Sequence, residues 1–422
     1  MKRNLTLILV ATAMLMLAAG PAMAGAFRIP EAGTPAMGQA NAFVGQADDP
    51  SAVHHNSAGL VNLDGTQIMV GMNMITPEAT FTDDLFGASA DADDQDFFVP
   101  YFFYTNHLGD SDWWVGFGVS APFGLGTEWD DSASFNGALE AYASSLLAGV
   151  PLITETTLEI VKIAPVFAHR LNDRFSFGFG PEYYSVQEIV YDGGSTTGPY
   201  KVDGDGDAWG FGLSALYQAT DALNVGFAYH SGVTAEVDVD ATNFPIAVAP
   251  GFYTGNASVD LNLPDTVALG IHYQVSDAFS FNLDLDQTMW SDYDKLEFKD
   301  SSGAILRTVP KDYDDVLAVR IGGEYSVNEN WTVRAGYLTE PSPVEEDTFD
   351  PRLPDADATA FFLGGGYDTG QWAINGAYMA LTKDDRNVDT DEPTPGGPLD
   401  FVYDGKYEAN VDIFALDFIY RF

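Results

Sequence analysis

From residue 64 to the C-terminus, apolar and polar residues alternate with a period of two. Phe279, Phe281, Leu283 and Leu285 alternate with Ser280, Asn282 and Asp284. Leu223, Val225, Phe227 and Tyr229 alternate with Asn224, Gly226 and Ala228, and Trp331, Val333, Ala335 and Tyr337 with Thr332, Arg334 and Gly336. Side chains of a strand point alternately to its two faces, so each run reads as a strand with one apolar and one small or polar face. The pattern predicts fourteen strands, at about 66–80, 97–107, 112–120, 155–171, 174–192, 206–219, 222–239, 257–275, 277–298, 313–327, 330–339, 357–369, 371–383 and 406–422.

The connections alternate in length. Short turns fall near Gly109-Asp110, Asn172-Asp173, Thr220-Asp221, Ser276-Asp277, Asn328-Glu329 and Thr369-Gly370. Long connections fall at 81–96, 121–154, 193–205, 240–256, 299–312, 340–356 and 384–405. Short turns on one rim, long loops on the other and an even strand number are the pattern of an outer-membrane barrel, not of a soluble sandwich. Aromatic residues at strand ends (Trp113-Trp114, Tyr183-Tyr184, Trp290, Trp372) suit interfacial girdles. The last strand ends on Phe422 behind alternating aromatics, the signal that barrel assembly machinery reads. It changes phase near Ile413-Phe414, where a bulge is expected.

The N-terminus differs. Lys2 and Arg3 precede an apolar stretch from Leu5 to Ala19, and Ala22-Met23-Ala24 is an A-x-A cleavage signal. Residues 1–24 therefore read as a signal peptide and Gly25 as the first mature residue. No later run reaches the roughly 18 apolar residues of a spanning helix. Residues 25–63 are neither strand nor proper helix: Ala32, Gly33, Ala36, Gly38, Ala40, Ala42, Gly45 and Ala47 fill them, punctuated by Asp48-Asp49-Pro50 and Asn56-Ser57-Ala58-Gly59. Such a segment cannot form a core alone and needs a container, which is the barrel of residues 64–422.

Composition narrows the function. The chain has 62 acidic and 18 basic residues, a net charge of −44, so nucleic acid is not a partner. With no Cys there is no disulfide framework, and 46% hydrophobic residues exclude disorder. The acid clusters Asp91–Asp96, Glu345–Asp350 and Asp384–Glu392 lie in the long loops. They are expected to face outward, where divalent cations bridge them to lipopolysaccharide. Catalytic signals are lacking: Gly118-Val119-Ser120-Ala121-Pro122 misses the last Gly of a nucleophile elbow. His54-His55 read as hatch packing, not metal ligands. Asp203-Gly204-Asp205-Gly206-Asp207 has Ala208 and Ser214 where a calcium loop needs Gly and Glu, and reads as an acidic turn. No enzyme activity, metal or cofactor is expected.

The ordered set of motifs resembles the FadL-type outer-membrane transporters of long-chain fatty acids and other hydrophobic compounds. It comprises Ala26-Phe27, Gly38-Gln39-Ala40, Ala47-Asp48-Asp49, Asn56-Ser57-Ala58, Gly124–Trp129, Trp209–Gly212, Leu261–Pro264, Asn330–Gly336 and Pro341–Val344. The resemblance implies a 14-stranded antiparallel transmembrane β-barrel, monomeric, plugged by an N-terminal hatch. Ligand would be caught at outer loops, held in an interior pocket and released sideways through the wall. By that implication Phe27, Asn56, Ser57, Ala58 and Gly59 form the gate, and Trp114, Gly116, Gly118 and Pro122 a kink in the third strand. Capture falls to Leu139, Tyr142 and Leu146, on one helical stripe, and to the apolar loop residues Phe244, Ile246, Val248 and Phe252. Those loops could equally pack on one another and seal the mouth. Arg320 and Arg334 point inward by phase, either to meet a carboxylate or to pair with wall acids such as Glu324 or Asp284. The chain departs from the family at Ser57, where Pro is usual, at the short third loop, and at Gln187 and Asp314, where basic pocket residues are expected. Neutral hydrocarbons, or a structural barrel with cation-binding loops, are the alternatives to fatty acids.

Overall fold

The computed structural model describes residues 25–83, 89–129, 152–195, 198–246, 251–389 and 404–422. Fourteen antiparallel strands close on themselves. They are β1 (Thr66–Asp83), β2 (Phe97–His107), β3 (Trp113–Glu128), β4 (Leu152–Asn172), β5 (Phe175–Ser195) and β6 (Gly198–Thr220), then four interrupted strands. These are β7 (Leu223–His230 and Val233–Ile246), β8 (Gly251–Leu263 and Thr266–Ser276), β9 (Phe279–Thr288 and Lys295–Asp300) and β10 (Ile305–Pro310 and Val316–Ser326). The last four are β11 (Trp331–Glu340), β12 (Ala358–Asp368), β13 (Trp372–Lys383) and β14 (Gly405–Arg421). β14 pairs with β1 from Gln67↔Arg421 to Asp83↔Gly405 and shuts the sheet. The short turns lie together on one rim, as the alternation of connection lengths requires.

The phase change in β14 is not a bulge, because its register on β1 runs without a shift. Tyr407, Ala409, Val411, Ile413, Ala415 and Ile419 all face inward and are buried, while Phe414, Leu416 and Phe418 face outward and are exposed. What changes is the surroundings. Outside the membrane the outward face is polar (Glu408, Asn410, Asp412) over an apolar interior; within it the outward face must be apolar. The same switch occurs on β6, from Asp203, Asp205 and Asp207 to Trp209, Phe211 and Leu213. It occurs on β1 from Glu78 and Thr80 to Met72 and Val70. Trp209, 66% exposed, sits at the boundary, where an amphipathic ring is favoured.

Several expected loops are therefore strand. The segment 193–205 is a tight hairpin, with Ser195 opposite Gly198, so the Asp203–Asp207 run lies on β6 and is not a turn. The 299–312 connection is a hairpin between the outer parts of β9 and β10. Only 341–357 among the fully described long connections lacks strand, and it folds over the mouth.

The small-residue segment lies inside. α1 (Thr34–Met37), α2 (Ala52–His55) and a 3-10 turn (Ser57–Asn62) are each one or two turns, too short to be stable alone. The wall supplies their stability. A Cβ on Gly226 of β7 would stand 2.0 Å from the Val44 carbonyl oxygen, and one on Gly322 of β10 2.3 Å from that of Gln39. The small phase of the wall and the small residues of the hatch thus let two backbones approach each other.

Replacing Leu416 by Arg on the lipid face is expected to destabilise the barrel by about 2–4 kcal/mol, and Asp412→Arg above the boundary by less than about 1 kcal/mol. Urea unfolding in bilayers checks this, and equal effects would remove the boundary placed between them.

Candidate functional site

Polar side chains of the wall hold the hatch. Asp284 of β9 accepts the amides of Phe43 and Val44, each at 2.8 Å. Asn282 donates to Gln39 at 2.8 Å and Gln46 at 2.7 Å. Asp417 of β14 accepts the Thr34 amide at 2.9 Å, and Asn73 of β1 donates to the Glu31 carbonyl at 2.6 Å. Asn56 caps the 3-10 turn through the Ala58 amide (3.1 Å) and donates to the Val44 carbonyl (2.7 Å). The Ser57 hydroxyl bonds that of Ser214 at 2.9 Å, a contact that a proline would lack. Gly59 is tight against Ala47, whose carbonyl oxygen lies 2.2 Å from where a Cβ would stand.

The wall has a break. β1 and β2 pair as far as Ile75↔Phe97, but β2 and β3 pair only from His107↔Trp114 to Phe102↔Val119. Phe97–Tyr101 therefore has a strand on one side only. Pro100 falls on this open edge, where a residue without N–H leaves no donor unpaired. β3 turns away at Ser120, where its register on β4 shifts, and takes a new neighbour. Ile29 donates to the Pro122 carbonyl at 2.8 Å, and Gly124 donates to the Phe27 carbonyl at 2.9 Å. A three-residue piece of hatch stands where β2 would have been.

The bend lies at Ser120–Phe123. Gly116 and Gly118 lie below it and make room for Val53 of α2, whose methyls stand 2.7–2.8 Å from their Cβ positions. Trp114 is at the far end of β3; its indole donates to the Leu63 carbonyl at 2.9 Å, which anchors the end of the hatch.

Phe27, 2% exposed, fills an aromatic box. Its ring centre lies 4.7 Å from Trp290, 5.3 Å from Tyr293 and 6.0 Å from Phe123. Beneath it is a cavity of about 60 Å³, lined by Arg28, His54, Lys162, His230, Asp286 and Arg320 among others, with room for a few water molecules. Arg28 pairs with Asp286 at 2.9 Å, and Lys162 with Glu182 at 3.2 Å. Arg320 reaches Asp286 at 3.4 Å but keeps Nε and one terminal nitrogen without a hydrogen-bond partner. The mouth is capped by the 341–357 loop: Arg352 stacks on Tyr191 at 3.6 Å, and Asp350 pairs with Arg352 (3.1 Å) and Lys311 (2.9 Å). Asp350 thus turns inward from its acidic run, because a buried carboxylate needs cations and two are there.

The cavity gathers Arg28, Lys162, His230 and Asp286, none of which stood out in the sequence. Arg334 is elsewhere, held by Glu324 at 2.7 Å and Asn375 at 3.3 Å beneath Gly38. Gln187 and Asp314 are exposed and outside the lumen. Phe244 is buried against Phe298 (4.9 Å) and Tyr200 (6.3 Å), so it seals the lumen, while Ile246 is half-buried and Phe252 exposed. Leu139, Tyr142, Leu146 and Val248 lie outside the described residues. His54 bonds Ser120 at 3.3 Å and His55 donates to the Ala32 carbonyl at 2.7 Å, both packing roles.

Burial pushes the Glu31 carboxyl up to about 7 against the pull of Arg320, and likewise raises Asp49 to about 7 against its bonds to Ser51. Both bind a proton more tightly in the seated hatch than when hydrated. Seating is therefore favoured below about pH 4.5 and loses that support as pH rises through about 7.

Two outcomes are expected. Asp284→Ala strands two buried hatch amides, costs about 2–4 kcal/mol of hatch docking, and makes Phe43 and Val44 exchange hydrogen at least tenfold faster. Conductance through the barrel in planar bilayers rises between pH 5 and pH 8, and Glu31→Gln removes about half of that rise. An unchanged slope in Glu31→Gln would assign the pH response to other groups.

Comparison with known proteins agrees with this architecture. Residues 15–422 match the family described as outer membrane protein transport protein (OMPP1/FadL/TodX). A long-chain fatty acid transport protein of Escherichia coli is 26% identical over 379 residues, covering 80% of this chain and 82% of that one. Outer membrane protein P1 of Haemophilus influenzae is 27% identical over 416 residues, covering 85% and 86%. Among solved structures, a FadL homologue of Pseudomonas aeruginosa superposes with a TM-score of 0.78 at 21% identity over 94% of this chain and all of its own. The toluene transporter TodX of Pseudomonas putida gives 0.68 at 18%, over 94% and 100%. The chain belongs to the FadL/TodX family of outer-membrane transport proteins.

Proposed function

We propose that this barrel carries long-chain fatty acids across the outer membrane by passive, hatch-gated diffusion. The acid is caught at the outer loops, passes to the cavity under Phe27, and leaves sideways between β2 and β3. The observation that carries this reading is the break in the wall, stoppered by Phe27–Ile29 directly beside the cavity. An exit at that level opens into lipid, so a hydrophobic ligand need not cross the polar short-turn rim. Relatives named for long-chain fatty acid transport support the substrate class.

The energetics permit ligand gating. Withdrawing Phe27 from its box costs about 2–3 kcal/mol of burial and about 1 kcal/mol per aromatic pair. A buried methylene returns about 0.8 kcal/mol, so some six to eight methylenes of an acyl chain offset the displaced ring. A chain of that length also outgrows a cavity of about 60 Å³, so entry and gate movement are one event. The spare donors of Arg320 supply a site for the carboxylate. The domain reading follows: residues 1–24 a removed leader, 25–63 the hatch, 64–422 the wall. The aromatic box equally suits a neutral ring, and the toluene transporter among the structural neighbours makes hydrocarbon uptake the second reading.

Native mass spectrometry of the detergent-purified barrel, offered oleate, oleyl alcohol and toluene in competition, tests this. Retention of oleate at least tenfold over the alcohol, the bonus of a charge-assisted bond, is expected. Preference for toluene would move the function to hydrocarbon uptake, and retention of nothing would leave a structural barrel.

A further inference from the structure

We infer that signal cleavage creates a buried ion pair, between the α-ammonium of Gly25 and the carboxylate of Glu340 at the end of β11, which latches the hatch in its seat. Glu340 is 3% exposed, and its oxygens stand 2.5 and 3.1 Å from the point where a Cβ on Gly25 would lie. The α-nitrogen is one bond from the same Cα, within reach of that carboxylate after a side-chain rotation. Gly25 itself is buried, with the backbone at φ +57°, a conformation that glycine adopts without strain.

The surrounding cations form their ion pairs with other carboxylates. Arg320 and Arg28 pair with Asp286, and Lys383 pairs with Asp355. No lysine or arginine among the described residues is within ion-pair distance of Glu340. A buried carboxylate without a partner is costly, and so is a buried ammonium; placed together each removes the other's cost. Hydrolysis of the Ala24–Gly25 bond adds one water, sends Ala24 away as a carboxylate with the leader and leaves the amine on Gly25, which takes up a proton. Before cleavage that nitrogen is an uncharged amide and the latch does not exist. Asp355 completes the anchor, its Oδ2 accepting the Ala26 amide at 3.3 Å and the Ser342 hydroxyl at 2.7 Å, which ties the first mature residues to the loop over the mouth.

The test follows acetylation of the α-amine of purified barrel by a succinimidyl ester at pH 7, read by peptide mass spectrometry. The exposed Lys201 and Lys295 serve as internal controls. Gly25 is expected as the first residue, its amine reacting at least tenfold more slowly than the same amine in Glu340→Gln, with Glu340→Asp between them. Equal rates in wild type and Glu340→Gln, or a first residue other than Gly25, would overturn the proposal. A second reading uses wild type alone, so it stands even where the variant folds poorly. Reductive ¹³C-methylation followed by NMR titration should place the amine above the ordinary value of about 8; a value below it means burial without a partner and also refutes the pair.

Discussion

Every backbone N–H and C=O that a membrane wall presents to lipid needs a partner, and closed strand pairing is what supplies it. In this barrel the pairing lapses between Phe97–Tyr101 and the bend of β3. There the requirement passes to the hatch, whose Phe27 and Ile29 make the hydrogen bonds that β2 does not. The wall is complete only while the hatch is seated. In the proposed mechanism gating and the integrity of the sheet are one interaction, since displacing Phe27–Ile29 removes the hydrogen bonds that close the wall there.

How the hatch is held matters as much as where. Its Met37, Phe43, Val53 and Leu60 are buried against the wall, which also opposes its small residues with glycines that allow close approach. To that apolar packing the wall adds charged and amide hydrogen bonds from Asp284, Asn282, Asp417 and Asn73. Such bonds are directional and short in range, so a shift of a few ångströms breaks several together. The aromatic box around Phe27 adds a further apolar contribution at the N-terminal end of the hatch.

The interior acids have a consistent arrangement. Those that bind the hatch or close the mouth sit beside a cation or a pair of amides, as Asp286, Asp350 and Glu182 do. Other carboxylates of a chain with net charge −44, among them Glu78, Asp203, Asp205, Asp207, Glu408 and Asp412, lie on the outward face of the strands beyond the membrane. Water and counter-ions screen them there, so the charge serves solvation of the protruding strands and takes no part in the pore.

The sequence alone determined the strand number and the family, and marked out 25–63 as a small-residue segment unlike the strands. Each of these is written in local pattern: a period of two, turn residues, ordered motifs. It also carried a trace of the break, since Pro100 and Pro122 sit where neither strand can donate to a neighbour. The tertiary structure decided the rest. Lys162, Arg28 and Asp286 meet across the lumen from segments more than a hundred residues apart, and no local spacing reports that. The phase change at Ile413-Phe414 looked like a fault in the strand because period-two reading assumes one environment per face. The face in fact crosses from lipid to water, and only the closed barrel shows at which residue it does so.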